Sequence, residues 1–457
     1  MKETAMFSSI NPATGETIRD YAAHSGGEAE QRLDAVWNGW LAWRGTSMAE
    51  RVAFLERLAG LLEERAERYG LLITLEMGKP LRESIGEIRK CAATARHFAA
   101  AGETYLEPRA ARTEARLSHV QFEPLGPVFA VMPWNFPFWQ VFRFFIPAVL
   151  AGNTALVKHA ENVQGCAEAV EEVVRDAGGE ALLRNLAVDR DDVPKFIADR
   201  RIRSVTLTGS VRAGRAVGAA AGAACKKVVL ELGGSDPFIV LADADFEKML
   251  PVAVTARFTN GGQSCVCAKR FLVAAPIADR FVEAFAAAAA ALKVGDPTDT
   301  ATEMGPLARE DLRKGFAEQV ERSIAAGARA VVGGRMMDRP GFFYEPTILT
   351  NVSPDSPAAQ EELFGPAAAV MPFDTLDEAV AIANGTDYGL AASIWSKDVE
   401  AASALADRIE AGAVFVNDLV RSDARVPFGG VKDSGHGREL GEIGAREFTS
   451  AKLKWVA

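Results

Sequence analysis

The sequence predicts an α/β protein built from two doubly wound α/β domains, with a small additional piece of β-structure. From Val128 to Leu232 short apolar runs alternate with helical segments, and the same alternation resumes from Pro237 to about Val431. Strands joined by crossover helices give that pattern, and imply parallel sheets covered on both faces. Length agrees, since 457 residues exceed what one core serves. The third observation is the arginine-studded stretch between Arg109 and Pro127. Its segment Leu117 to Phe122 alternates like an exposed strand pair, too slight to stand alone, which must add to another sheet or another subunit.

Before the first alternating unit, the chain after an opening turn at Asn11 to Gly15 is expected to be helical. Ser47 and Glu50 form a capping box, and Val52, Leu55, Leu58, Ala59 and Leu62 recur at helical spacing to mark one buried stripe. Gly78 and Pro80 end one helix and begin another, in which Ile85, Ile88 and Ala92 repeat the spacing. In the first alternating unit strands are expected at 128–132, 154–158, 186–188, 205–208 and 227–230, with helices at 163–176 and 213–224. In the second, strands are expected at 238–241, 271–274, 330–332, 367–371, 392–395 and 414–416, with helices at 278–292 and 376–383. Ligands of such sheets bind at the carboxyl ends of the strands.

Composition sets limits on function. A hydrophobic fraction of 49% with 25% charged residues is that of a globular protein with a sizeable core. The net charge of -10, from 61 acidic against 51 basic residues, argues against a nucleic-acid surface and against affinity for anionic membranes. Met1 to Ile10 lacks the apolar centre of a secretory signal. The run Phe136 to Ala151 is interrupted by Pro137, Arg143 and Pro147 and falls short of the ~20 apolar residues of a membrane span. Five scattered cysteines, Cys91, Cys166, Cys225, Cys265 and Cys267, are no disulfide framework, so a reducing cytoplasm is the expected compartment. The histidines have no metal-ligand spacing, and no metal site is expected.

Three stretches carry chemistry. Cys265 follows Asn260, Gly261, Gly262 and Gln263, where a helix ends and the chain must turn; Asn and Gly tolerate left-handed angles there. A thiol held on such a turn, with free backbone N–H groups beside it, is a nucleophile with part of an oxyanion site; otherwise Cys265 is a small buried hydrophobe. Asn135 sits between Pro133 and Pro137 in a rigid turn after a strand, where its carboxamide can donate to an oxyanion or merely serve the turn. Glu231 ends a strand before Gly233 and Gly234, as a general base facing a cleft or as a solvated strand end. Thr208-Gly209-Ser210, then Gly214, form a strand-to-helix turn whose N–H groups suit a pyrophosphate, or which is a plain cap.

With these stretches the sequence resembles the NAD(P)-dependent aldehyde dehydrogenases. Asn11 to Gly15, Pro133 to Pro137, Thr208-Gly209-Ser210, Glu231 to Gly234, Gly262-Gln263-Ser264-Cys265, Glu362-Leu363-Phe364-Gly365-Pro366 and Pro427 to Lys432 stand in the family's order along nearly the whole chain. The resemblance implies an aldehyde dehydrogenase-like fold. It places a Rossmann-like dinucleotide-binding domain in residues 1–107 and 128–233, a catalytic domain in 234–432, and a β oligomerisation flap in 108–127 and 433–457, in a homodimer or homotetramer. It implies that Cys265 attacks the aldehyde carbon while Asn135 and the Cys265 N–H hold the oxygen, and that Glu231 activates water to release the acid. Lys158 would reach the adenosine ribose, Trp134 would line the cofactor cleft with Gly209 and Ser210 at the pyrophosphate, and Leu232 would offer its carbonyl to the carboxamide. Glu362 would hold the nicotinamide ribose with Phe364 nearby. Glu161, three residues after Lys158, would accept from a free ribose hydroxyl and repel a phosphate, so that NAD is preferred over NADP; otherwise it caps the helix near Val163.

Other outcomes are a CoA-acylating relative, or a cofactor-binding structural protein without turnover. Neither needs a water-activating base, and Glu231 therefore favours oxidation to the acid. Many members carry a lysine nine residues after the asparagine, paired with a glutamate matching Glu439; Phe144 stands there, which puts a relay through Glu439 in doubt. The run Pro133 to Gln164 most resembles the succinate semialdehyde branch, which implies a short aldehyde with a distal carboxylate. Arg143, amid Phe138, Trp139, Phe142, Phe144 and Phe145, either pairs with a carboxylate such as Asp423 or waits for that of the substrate, helped by Arg421, Ser422 or Arg425. Cys267 either packs or forms a strained, reducible disulfide with Cys265.

Overall fold

The computed structural model describes residues 6–457 of the chain, so the first five residues of the expected segment 1–107 lie outside it. Two large sheets organise it. A six-stranded sheet runs in the order Gly435–His436, Lys227–Glu231, Ser204–Thr208, Val128–Met132, Ala155–His159, Leu183–Asn185. Its five longer-range pairings are parallel except for the first edge, where Gly435 lies opposite Glu231 in antiparallel register. A seven-stranded sheet runs Arg329–Val332, Thr347–Thr350, Ala367–Phe373, Ala268–Ala274, Asp236–Val240, Ala391–Trp395, Ala413–Val416, parallel but for its first pair. Helices cover both, as alternating strands with helical crossovers require.

Most expected elements lie within a few residues of their expected bounds. The helix Met48–Glu64 opens on the reciprocal Ser47 and Glu50 capping box and buries Leu55, Leu58, Ala59 and Leu62. Gly78 closes the helix Ala66–Met77 at φ 82, and Pro80 opens the helix Leu81–Leu106. The strand expected at 186–188 lies instead at Leu183–Asn185. Thr17–Ala22, expected to be helical, pairs as a hairpin with Met6–Ile10 around the Asn11 turn. Its charged, mostly exposed residues carry no helical stripe, and the turn chemistry wins.

A third, small sheet joins Thr449–Val456, Leu117–Pro124 and Arg109–Ala110. The exposed segment thus finds its partner in the chain's own tail. Only part of 433–457 belongs to it: Gly435–His436 extends the six-stranded sheet, and the helix Gly441–Glu447 packs on Leu81–Leu106. That path brings Glu439, just before the tail helix, into the interior, where it is 1% exposed. No helix among the described residues is long and apolar enough to cross a membrane.

Candidate active site

The turn before Cys265 is made by its backbone. The helix Phe246–Phe258 ends, and Asn260, Gly261 and Gly262 follow at φ 53, 61 and 74. That left-handed region favours Gly and, among other residues, Asn. A Cβ at Gly262 would meet the Gly365 carbonyl oxygen at 2.3 Å, so no side chain fits there.

Donors then pin the carbonyls around the thiol. The Asn135 amide donates to Gln263 O at 3.1 Å, and Asn260 Nδ2 donates to Asn135 O at 2.9 Å. Lys269 Nζ donates to the carbonyls of Ser264 at 2.7 Å and Cys265 at 2.6 Å. Arg257, fully buried, donates to the carbonyls of Ala268, Gly262, Leu363 and Gly365. With the carbonyls drawn to one side, the N–H groups of Cys265 and Val266 have no acceptor among the described residues. The half-buried thiol therefore stands beside free backbone donors and the Asn135 carboxamide, whose Oδ1 has no partner. This arrangement can hold an oxyanion.

Lys269 and Arg257 were not among the expected site residues. The signal for Lys269 is present: with Arg270 it interrupts an otherwise apolar strand, and such buried cations require a row of acceptors. Cys267, two residues beyond the nucleophile, is buried and its thiol is free, with Sγ 3.7 Å from Thr259 O.

Cys265 lies between two cavities. One, about 290 Å³, is lined by Phe136, Trp139, Arg143, Lys90, Arg421, Ser422 and Phe428. The other, about 250 Å³, is lined by Trp134, Asn135, Gly209, Ser210, Leu232, Glu362 and Phe364. Burial pushes the Cys265 thiol up to about 12; Arg143 and Lys269 pull it down, while Glu231 and Glu362 add to the rise. A thiol so placed needs a base, or a developing cationic neighbour, to react.

The base candidate is Glu231, at the end of Lys227–Glu231 and 2% exposed. Arg143 Nη2 lies 3.9 Å from its carboxylate, and the same guanidinium pairs through Nε with Glu439. Arg143 also donates to Thr208 Oγ1 at 3.3 Å and lies over the Phe428 ring at 4.7 Å. Burial raises Glu231 well above the usual carboxylate range, Arg143 opposes the rise, and Glu439 adds to it. Glu439 is raised by the same burial, again opposed by Arg143.

These contacts correct three expectations. Arg143 pairs with Glu439 and not with Asp423, which is held by Arg425 at 2.6 Å. The place of the absent lysine is therefore filled one residue earlier, while Phe144 turns away against Phe448, ring centroids 6.4 Å apart. Arg143 lines the first cavity but is already paired with Glu439 and set 3.9 Å from Glu231, so it is not free for a substrate carboxylate. Arg421 lines the first cavity from an exposed position, bound to Asp418 at 2.8 Å, and Ser422 accepts from Lys90 there at 2.8 Å. Arg425 does not line that cavity; its side chain is 72% exposed, bound to Asp423.

The second cavity suits a nicotinamide dinucleotide. The Leu232 carbonyl accepts no hydrogen bond among the described residues. Ser210 caps the helix Val211–Ala223 through Ala213 N, leaving the Val211 and Arg212 amides for an anion, while the Gly209 amide donates to Glu231 O at 3.0 Å. Trp134 and Phe364 meet edge to face at 5.7 Å and wall the slot. Glu362 is half-buried beside them; it accepts from Gly234 N at 3.0 Å and lies 3.8 Å from Lys269 Nζ. Lys158, on Ala155–His159, lies 3.8 Å from the half-exposed Glu161. Glu161 opens a short 3-10 turn and its side chain caps no helix.

Residues 1–454 match the aldehyde dehydrogenase family. The chain belongs to that family. Among its relatives in the family, one from Synechocystis sp., named probable succinate-semialdehyde dehydrogenase (NADP(+)), is 47% identical over 98% of this chain and 99% of its own. Another from Escherichia coli K12, succinate semialdehyde dehydrogenase (NAD(P)+) Sad, is 46% identical over 98% of this chain and 97% of its own. Of solved aldehyde dehydrogenase structures, the succinic semialdehyde dehydrogenase of Streptococcus pyogenes in complex with NADP+ aligns with a TM-score of 0.96 at 35% identity, covering 98% of this chain and 99% of the other. The agreement extends over both large sheets, and a nicotinamide dinucleotide is the cofactor of the family.

Proposed function

We propose that this aldehyde dehydrogenase oxidises succinate semialdehyde to succinate, with NADP accepted as well as NAD. The observation that carries the reading is a single thiol, Cys265, reached from two cavities and backed by a buried carboxylate, Glu231. The names of the relatives supply the substrate and the cofactor. The same division of labour supports residues 1–107 and 128–233 as the cofactor domain, 234–432 as the catalytic domain, and the small sheet as a contact between subunits. Leu453 and Trp455, two apart and so on one face of that sheet, are 57% and 46% exposed, an apolar pair that a second copy would cover.

In this mechanism Glu231 takes the thiol proton, and the Cys265 sulfur forms a bond to the aldehyde carbon. Asn135 and the Cys265 N–H hold the resulting oxyanion; one such donor is worth roughly 3 kcal/mol of barrier. Trp134, Gly209, Ser210, Leu232, Glu362 and Phe364 would hold the cofactor in the second cavity, where it would supply the acceptor for the hydride that the adduct loses in becoming a thioester on Cys265. Glu231 gives up the thiol proton to solvent and, ionised again, takes a proton from water, whose oxygen bonds to the thioester carbon as the thiolate leaves. Arg143 keeps Glu231 oriented throughout and balances its charge.

The preference for NAD expected from Glu161 gains no support from relatives named for NADP. Glu161 is half-exposed and flanked by Lys158, so its carboxylate can swing to solvent and leave a cation for a 2′-phosphate. Aldehyde-dependent reduction of NAD and NADP, with and without CoA, tests the proposal. Turnover of succinate semialdehyde to free succinate without CoA is expected; an absolute requirement for CoA, or turnover confined to uncharged aldehydes, would overturn it.

A further inference from the structure

The cavity beside Cys265 holds a cation with no carboxylate partner. Lys90 enters it from the helix Leu81–Leu106, with Nζ donating to Ser422 Oγ at 2.8 Å and lying 4.1 Å from the centre of the Trp139 ring. The carboxylates around it are engaged elsewhere. Glu87 pairs with Lys79 and accepts from the amides of Phe138 and Trp139. Asp423 holds Arg425, and Asp418 holds Arg421. Arg143, the other inner cation of this cavity, is bound to Glu439. Among the described residues, no carboxylate lies within ion-pair distance of Lys90.

An ammonium withdrawn from water and given only a hydroxyl and a ring face is under-compensated. Burial draws Lys90 down to about 8, and Arg143 pushes the same way; Cys91, Glu87 and Asp423 oppose them. Ser422 accepts from Lys90, so its own hydroxyl proton is free to donate in the same direction. Phe136, Trp139 and Phe428 give the cavity apolar walls suited to a short methylene chain.

We infer that Lys90 is the specificity-determining cation of the aldehyde cavity, taking the distal carboxylate of the substrate together with the Ser422 hydroxyl. The inference rests on the proposed function, which requires such a carboxylate. A carboxylate bound there meets a charge and a neutral donor, while the aldehyde end reaches Cys265 at the other side of the same cavity. Arg421, exposed and bound to Asp418, draws the anion towards the mouth without holding it.

Lys90→Met keeps the length and the packing on Trp139 and removes the charge; Lys90→Arg restores it. Steady-state kinetics of both variants on succinate semialdehyde and on butanal, at saturating cofactor, provide the test. For Lys90→Met the ratio of kcat/KM for succinate semialdehyde over butanal should fall roughly tenfold to a hundredfold, as expected for a lost charged hydrogen bond, and through KM more than kcat. Lys90→Arg should recover part of the ratio, and succinate should inhibit Lys90→Met more weakly than the wild type. A ratio within about threefold of wild type, or equal losses on both aldehydes, overturns the role of Lys90 and leaves the proposed function standing. A wild type without preference for succinate semialdehyde over butanal overturns the proposed function itself, and the inference with it.

Discussion

Arg143→Met removes the one cation shared by two interior carboxylates. Arg143, Glu231 and Glu439 are each 1–2% exposed as side chains, so this is a buried charge cluster. Removing one partner from such a cluster costs about 3–5 kcal/mol, because the charges left behind are uncompensated. The carboxylates escape part of that cost by taking up protons, and the loss therefore depends on pH. Both are already raised by burial, with Arg143 holding the rise down. Without Arg143 the folded protein keeps protons that the unfolded chain releases above roughly pH 4.3. The stability of such raised groups is present in acid and is lost as pH rises towards the folded pKa. The variant should thus lie close to wild type near pH 5 and fall below it by about 3–5 kcal/mol by pH 8. Urea denaturation followed by tryptophan fluorescence across that range measures it. Arg143→Met combined with Glu439→Gln should recover part of the loss at pH 8. A loss of the same size at both pH values would mean that Arg143 stabilises by packing alone, and would refute the argument.

Glu231→Gln should give one equivalent of reduced cofactor in a slow burst and then stall as thioester; steady turnover at the wild-type rate would remove Glu231 from the water-activating step. Glu161→Ser should raise the ratio of kcat/KM for NADP over NAD by several-fold, since a carboxylate near a 2′-phosphate is repulsive; an unchanged ratio would show that Glu161 does not face the ribose. If Cys267 can close on Cys265, peroxide inactivation should be reversed by thiol in the wild type and become irreversible in Cys267→Ser; identical behaviour of the two would leave Cys267 as a packed, buried thiol.

The elements were legible where local pattern and tertiary demand coincide. Val128–Met132 and Lys227–Glu231 are apolar runs that end in turns, and their carboxyl ends carry the groups that chemistry would need. The Asn260 to Gly262 turn was legible because its backbone angles admit few residues. What stayed hidden is pairing across long separations. Arg143 and Glu439 meet only because the tail pairs with the edge of the six-stranded sheet, and a lone arginine among phenylalanines does not say which carboxylate it will meet. Lys90 was hidden for a related reason: on a helix of mixed charge it reads as one more solvated lysine, and only the approach of Ser422, 332 residues away, makes it a cavity cation. The hairpin Thr17–Ala22 shows the opposite failure, a polar strand with no alternation to announce it.

Cys265 borders both cavities, and that has a kinetic consequence. The reacting atom is reached by two separate doors, so occupancy of one passage does not physically block the other. Aldehyde and dinucleotide can then load in either order, and a dead-end carboxylate filling the first passage should not compete with the dinucleotide for the second. Crowding is confined to the sulfur itself, where an acyl group and the reduced cofactor must share the junction. Departure of the reduced dinucleotide then clears room for the water that frees the acid, so the double entrance also sets the order in which the products leave.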